Sequence, residues 1–440
     1  MDVSTPRTTS GHRRVDRRVV LLIGIAIFAQ ESVWNFYDAQ VPASLQRYIS
    51  SVGLIGAIMG MDNVIGVLVQ PLMGHLSDKW QSARGGRLPF ILIGAPIAAV
   101  PFVLIPWATD VVSLMVCIFS FALVANGFKA ITEALLPDYV DAPNRSKANG
   151  FIKIATSLTI AVSAAVSIFV VDTSLKLAFA IPAALMLVAF YGSAFFLYRR
   201  RRMLAAEDRA VSRHGDMRDG NADGDVDFSK LRNVYAELFT DRDRTRVLLM
   251  LGIFCFAGTW SALRSLTTPY GIDVLGLSRG ASGGLALPGS VAFLLAAAPI
   301  ALVSERVGQV KMICYGAALF TCGLVVGFLF RTHTGTAAAI AICAVGYAAF
   351  SINAAVALWN LAPSDKVLGA YTGLYTVAAS SGAALGPALL GTAIDFTGWN
   401  FMMLDAAVLA LVTVAVFAII ARSNRRRTAN TPSPISSRRK

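Results

Sequence analysis

The stretch Gln70-Pro71-Leu72-Met73-Gly74-His75-Leu76-Ser77-Asp78-Lys79, continuing to Arg84-Gly85-Gly86-Arg87-Leu88-Pro89-Phe90, decides how this chain is built. An apolar run, 51–76, leads into it, and another, 89–108, leads out. Each run is long enough to cross a bilayer. Charge gathers in the turn between them, so the chain crosses, turns in water and crosses back. Gly74 near the end of the first run lets a second helix come close. Asp78, at the same end, is placed to meet the positive end of a neighbouring helix or an arginine.

The same alternation fills all 440 residues. Hydrophobic residues make up 55% and charged residues 15%, against about 25% charged in an ordinary soluble domain. The mean hydropathy is +0.61. Spans are expected near 19–41, 51–76, 89–108, 111–136, 148–171, 176–198, 245–270, 280–303, 310–330, 336–361, 367–392 and 399–421. Lipid offers no partner to loose backbone groups, so these spans must be helical. A basic N-terminus (1–18) precedes a first six-helix lobe (19–198), a linker (199–244), a second lobe (245–421) and a basic tail (422–440). The expected fold is an all-α membrane protein of twelve transmembrane helices in two pseudo-symmetric lobes.

The two halves repeat. Pro42 is answered by Pro269, Ser77-Asp78-Lys79 by Ser304-Glu305-Arg306, and Asn126 by Asn353, each 227 residues later. Pro137 meets Pro363 one residue short of that register. Repeats of six spans point to a transporter whose halves rock around a midplane site.

A net charge of +13 invites a nucleic-acid reading, which its distribution defeats. Most of the 39 Lys and Arg fall in the termini and alternate loops, the positive-inside pattern of a cell-membrane protein with both termini cytoplasmic. Clusters such as Arg199-Arg200-Arg201-Arg202 then sit beside anionic lipid headgroups. In the linker, the composition of 218–227 favours disorder, and Phe228, Leu231, Val234, Tyr235, Leu238 and Phe239 predict a surface-lying amphipathic helix. The five cysteines lie in apolar segments without a CxxC, and the four histidines form no cluster. Neither metal nor cofactor is expected, and the chain carries no sign of an enzyme. A monomeric carrier is the expectation.

The opening stretch resembles the loop signature of the major facilitator superfamily, in the lengthened form of glycoside–cation (melibiose- and sucrose-type) sugar symporters. Leu135-Leu136-Pro137-Asp138 and Asn144-Arg145-Ser146-Lys147-Ala148-Asn149-Gly150 resemble that family's loop between spans four and five. The resemblance implies a cytoplasmic latch of Asp78, Arg84, Arg87, Asp138 and Arg145 around Gly74. A reduced second copy holds Glu305 and Arg306.

Inside the spans, ionisable residues are few and lopsided. Glu31, Asn35 and Asp38 share one helical stripe with Trp34 beside it. Asp62 stands beside Asn63, Lys129 and Glu133 lie one turn apart, and Lys153 follows on the next span. The second half offers Trp260, Arg264, Asn353, Trp359 and Asn360. A charge at mid-bilayer costs at least ~2.5–3.5 kcal/mol, so the cluster implies a polar cavity. The resemblance matches Glu31 to a sugar-contacting acid and Lys153 to a span-five arginine. The family's two span-two sodium ligands fall on Gly66 and Gln70, so H+ is favoured over Na+ as the coupling ion. The expected substrate is a sugar, bound by Glu31, Trp34, Asn35, Lys153, Trp260, Arg264, Asn353, Trp359 and Asn360. Coupling is expected at Glu133 with Lys129, and Asp62 and Asp38 are rivals for that role. The alternative is a proton-driven exporter of small amphipathic compounds, with a non-transporting membrane receptor or a membrane-embedded enzyme as remoter ones.

Overall fold

Backbone N–H and C=O groups in lipid must bond within their own segment, and a single apolar run can do that only as a helix. The computed structural model describes residues 17–84, 87–136, 152, 156, 158–211, 244–362 and 368–430, and its spans are helical. The first half holds α1 (Arg17–Leu45), α2 (Val52–Arg84), α3 (Leu88–Leu104), α4 (Val111–Glu133), α5 (Thr159–Val166) and α6 (Leu175–Val211). The second holds α7 (Thr245–Asp273), α8 (Ala286–Val307), α9 (Gln309–Leu329), α10 (His333–Trp359), α11 (Leu368–Thr397) and α12 (Met402–Asn430). A short helix, Arg279–Gly284, leads into α8, and a π-type turn, Ser167–Val171, prolongs α5. Among the described residues, eleven helices are long and apolar enough to cross a membrane, and Thr159–Val171 is a shorter apolar one. Most of the expected fifth span before Thr159 lies outside the described residues.

Local chemistry sets the helix ends. Asp110 caps α4 and accepts a bond from the backbone N–H of Ser113 at 2.9 Å. Ser113 donates from backbone and hydroxyl, which holds the exposed Asp110 carboxyl below the usual carboxylate range. One residue, Gly308, separates α8 from α9, at φ +91°, where a side chain would be strained. Three helices run eight or more residues past the expected spans, α2 among them with its end at Arg84. The linker is expected from 199 and the tail from 422, yet α6 continues to Val211 and α12 to Asn430. The overrun 199–211 is rich in Arg and Ala, strong helix formers, and has no Gly or Pro to stop it. At ~1.5 Å per residue the 37 residues of α6 extend about 55 Å, well past a ~30 Å hydrocarbon core. The amphipathic helix expected at 228–239 lies outside the described residues.

Burial separates the chain into two cores. One gathers residues from Val19 to Leu197, with Phe36, Phe102 and Phe179 at its centre. The other runs from Leu249 to Ile420 around Phe256, Phe320 and Phe350, with Val52 reaching over from the first half. Packing repeats as the sequence does. In the first half α1 packs on α5 and α6, α3 on α4 and α6, and α2 on α4. Adding six to each helix number gives the pairs of the second half. The same shift turns the contact of α2 with α11 into that of α8 with α5, so both inter-lobe seams obey one pseudo-twofold axis. Outward faces stay apolar, as lipid requires: Leu68 and its repeat counterpart Leu295 are 70% and 72% exposed.

Small residues hold the lobes together on one side. A Cβ on Gly56 or Gly60 of α2 would run into the backbone of Pro387 or Ala384 on α11. On the other side of α11, Gly382 and Gly386 meet α7 just as closely, at Phe254 and Gly258. These contacts lie toward the far face, opposite the face where α1 begins and α12 ends. Toward that near face, residues 62–71 of α2 and 372–380 of α11 part around a cavity.

Candidate functional site

The stripe on α1 points between the lobes. Residues four and seven apart share a helical face, so Glu31, Asn35 and Asp38 all line a central cavity of about 720 Å3. Arg264 enters from α7 and reaches across the lobe boundary. Its Nη2 donates to Asn35 Oδ1 at 2.5 Å and pairs with Asp38 Oδ2 at 2.9 Å. The Asn35 amide also donates to Thr159 Oγ1 at 2.6 Å, which ties α5 into the network. One turn deeper, Lys129 of α4 pairs with Glu31 at 3.0 Å. Partly buried pairs of this kind satisfy charges that lipid would otherwise exclude.

Another part of the lining is of a different character. From α8 it presents Ala286, Gly289, Phe293, Leu294, Ala297 and Ala298. Trp260 stacks on Tyr347 of α10 with ring centres 4.2 Å apart and planes at 11°, and Phe293 stands 6.1 Å from the same tyrosine. The lining thus combines an ionic cluster with an aromatic and aliphatic surface, and α7 contributes to both through Arg264 and Trp260. Scattered hydroxyls, on Thr267, Ser290, Ser351 and Tyr375, add donors and acceptors.

A smaller cavity of about 410 Å3 lies between α2, α4 and α11, lined by Trp34, Asp62, Gln70, Asn126, Lys129 and Thr376 among others. Asn126 donates to the backbone oxygen of Asp62 and accepts from Gln70. Asp62 Oδ1 accepts from the backbone and side-chain amides of Asn63, at 2.6 and 2.7 Å. Among the described residues Asp62 makes no ion pair, whereas Lys129 and Arg264 each have an acid.

Several sequence expectations need correction. Lys129 pairs with Glu31 on another helix, and Glu133 is exposed at the end of α4. Trp359 and Asn360 end α10 at the near face, where Trp359 donates to Thr372 and Asn360 to Gln309, so neither lines the central cavity. Asn353 is buried and donates to Ala349, its own helix, as Asn126 donates to Ala122. Trp34 packs edge-on and tilted against Tyr37 and Phe121 and lines the smaller cavity. Among the described residues, a Cβ on Gly74 would meet nothing within 4 Å. Glu305 and Arg306 are exposed, and Arg87 is half-buried. The side chains of Asp78, Arg84, Asp138, Arg145 and Lys153 lie outside the described residues. Sequence reasoning missed Tyr347, Phe293 and Tyr375. A tyrosine in mid-span with a polar atom to satisfy was the available signal.

Comparison with known proteins agrees with this architecture. A family model described as the Major Facilitator Superfamily matches residues 19–297 and 285–439. A bacterial homolog of the human lysosomal transporter Spinster, solved inward-facing and unoccupied, superimposes with a TM-score of 0.69 at 14% identity, over 93% of this chain and 97% of that one. The nucleoside transporter NupG gives 0.69 at 14% identity, over 92% and 99%. A POT family transporter in complex with 5-aminolevulinic acid gives 0.67 at 12% identity, over 93% and 97%. At such identities the likeness concerns the fold. Together with the family match over nearly the whole length, it makes this protein a transporter, not an enzyme, and the chain belongs to the Major Facilitator Superfamily.

Proposed function

We propose that the protein is a proton-coupled symporter of an amphipathic glycoside, working by alternating access. The observation that carries this reading is the mixed cavity, which holds paired charges beside an apolar, aromatic surface. Sugar hydroxyls suit the donors and acceptors around Arg264, Asn35 and Glu31, while an aryl or alkyl aglycone suits the surface of α8 and the Trp260–Tyr347 stack. Coupling moves from Glu133 to Asp38, since Asp38 holds the cation that bridges the lobes. A proton on Asp38 cancels its charge and weakens that bridge, which frees Arg264 for substrate and ties the lobes' motion to proton binding. The near face, where the lobes part, is then the cytoplasmic one.

The test is transport in proteoliposomes. With the lumen alkaline, labelled aryl glucosides should accumulate in the wild-type protein. Asp38→Asn should abolish that accumulation yet still exchange labelled for unlabelled glycoside without a gradient. Full accumulation by Asp38→Asn would remove Asp38 from coupling. The apolar α8 wall also favours a second reading, proton-driven export of small amphipathic compounds. Under that reading solute enters against an acid lumen, so the direction of the gradient decides between the two.

A further inference from the structure

On the far face, two carboxylates close the seam between the lobes, and neither belongs to the cavity. Asp395, near the end of α11, accepts from the backbone N–H of Val52 at 2.7 Å and of Gly53 at 2.9 Å, and from the Ser51 hydroxyl at 2.7 Å. Asp172, in the bend after the π-type turn of α5, accepts from the backbone N–H of Gly280 at 2.7 Å and from the Ser278 hydroxyl at 2.5 Å. Ser51-Val52-Gly53 and Ser278-Arg279-Gly280 are the same three positions of the repeat, 227 residues apart. Each lobe therefore supplies an acid to the start of the other lobe's equivalent span. Gln46 marks the axis of this exchange, because its side chain donates to Asp273, its own counterpart 227 residues later.

We propose that Asp172 and Asp395 are gating residues, a pair of crossed caps that hold the far face shut and let go together when the lobes rock. The first turn of a helix has N–H groups without intrahelical partners, and an acid there meets both those donors and the helix dipole. Ordinarily the cap comes from an adjacent residue and persists in every state. Here the acceptors lie 342 and 343 residues away for α2, and 108 away for Gly280. Such caps exist only while the far face is closed. Both acids and both serines are exposed even so, so water stands ready to replace the bonds on opening. That makes the contact reversible. Because one axis relates the two caps, a rocking motion about it lengthens both at once, and the gate opens as a unit. The caps work alike for any substrate and any coupling ion.

The test uses the full chain, free of its five cysteines, in nanodiscs. Spin labels at Thr109 and His333, exposed far-face positions on opposite lobes, report the width of the far face by pulsed electron resonance. The double variant Asp172→Asn and Asp395→Asn should shift the distribution toward longer distances, with the open population raised several-fold, and each single variant should do so less. Asp172→Glu with Asp395→Glu, which keeps both charges, should restore much of the closed population. If the double Asn variant does not fold, Ser51→Ala with Ser278→Ala, which removes one donor from each cap, should give the same shift in smaller measure. A melting temperature that falls while the distance distribution stays at the wild-type one would mean that the acids only stabilise the fold, and would overturn the proposal.

Discussion

Each cavity residue draws its role from the charge opposite it. Arg264 holds Asn35 and Asp38 with one nitrogen, and the stacked pair Trp260–Tyr347 lines the same cavity. Removing that surface by Trp260→Ala should weaken binding of an aryl glycoside about tenfold, roughly 1.4 kcal/mol, with Trp260→Phe losing less. Equilibrium binding to the purified protein measures this, and equal affinities would place the ligand elsewhere. Outside the membrane, Asp110 gives a pH-dependent contribution of calculable sign. Its carboxyl is lowered in the folded state by the bonds from Ser113. A lowered acid stabilises above its unfolded pKa, near 3.9, and that stability is lost as pH falls through the folded value. The melting-temperature gap between wild type and Asp110→Ala should thus be present at pH 6 and shrink on acidification below the carboxylate range. At this scale the sequence is only partly legible. Glu31, Asn35 and Asp38 could be placed together because they share a helix, and helical spacing fixes their common face. The partner of Lys129 could not, since a neighbour at one turn and a neighbour on another helix look equally available from sequence. Trp359 failed for a related reason: composition tells how deep a span residue lies only to within a turn or two.

Helices are read far more securely than side chains, because an apolar run of span length in lipid has one conformation open to it. The starts of α2, α7 and α9 fall within a residue of the sequence expectation. What the expectation lacked was the stops of α2, α6 and α12, where the hydrophobic signal ends but the helix continues. The glycines of α2 show how an element carries mechanism. Gly60 lets the backbone of α11 come into direct contact at Ala384, and Gly56 does the same at Pro387. A larger residue there cannot be absorbed by a side-chain rotation, since backbone stands in the way. Gly60→Val should therefore destabilise the observed state by about 1–3 kcal/mol and push the lobes apart at the far face. The far-face spin labels would record longer distances. An unchanged distribution would mean that α2 and α11 slide to make room, and that the glycine contact is not the fulcrum.

The whole molecule is closed at one face and open at the other, and the repeat explains how both states can be made from one set of parts. The seams α2–α11 and α8–α5 are copies under one axis, so a rotation about it that opens one face must close the other. Gly74 gains meaning in that light. Among the described residues a Cβ there would meet nothing while the near face is open, and a rocking lobe is what would bring a helix against it. Which compartment the open face addresses depends on orientation, and charge supplies the argument. The near-face ends of α6 and α12 carry Arg199 to Arg202 and Arg425 to Arg427, whereas at the far face the turn after α5 carries Asp172 and the first turn of α6 carries Lys176, which lies over Trp107 at 3.4 Å. Arginine clusters remain on the cytoplasmic side during insertion, so the open face should look into the cell. Single cysteines at Thr173 on the far face and at Ser212 after α6, each in a cysteine-free chain, test this on intact cells with an impermeant thiol reagent. Thr173→Cys should be labelled from outside, and Ser212→Cys only after the membrane is permeabilised. The reverse pattern would turn the molecule over, make the observed state open to the exterior, and invert the direction in which a proton gradient drives the cycle.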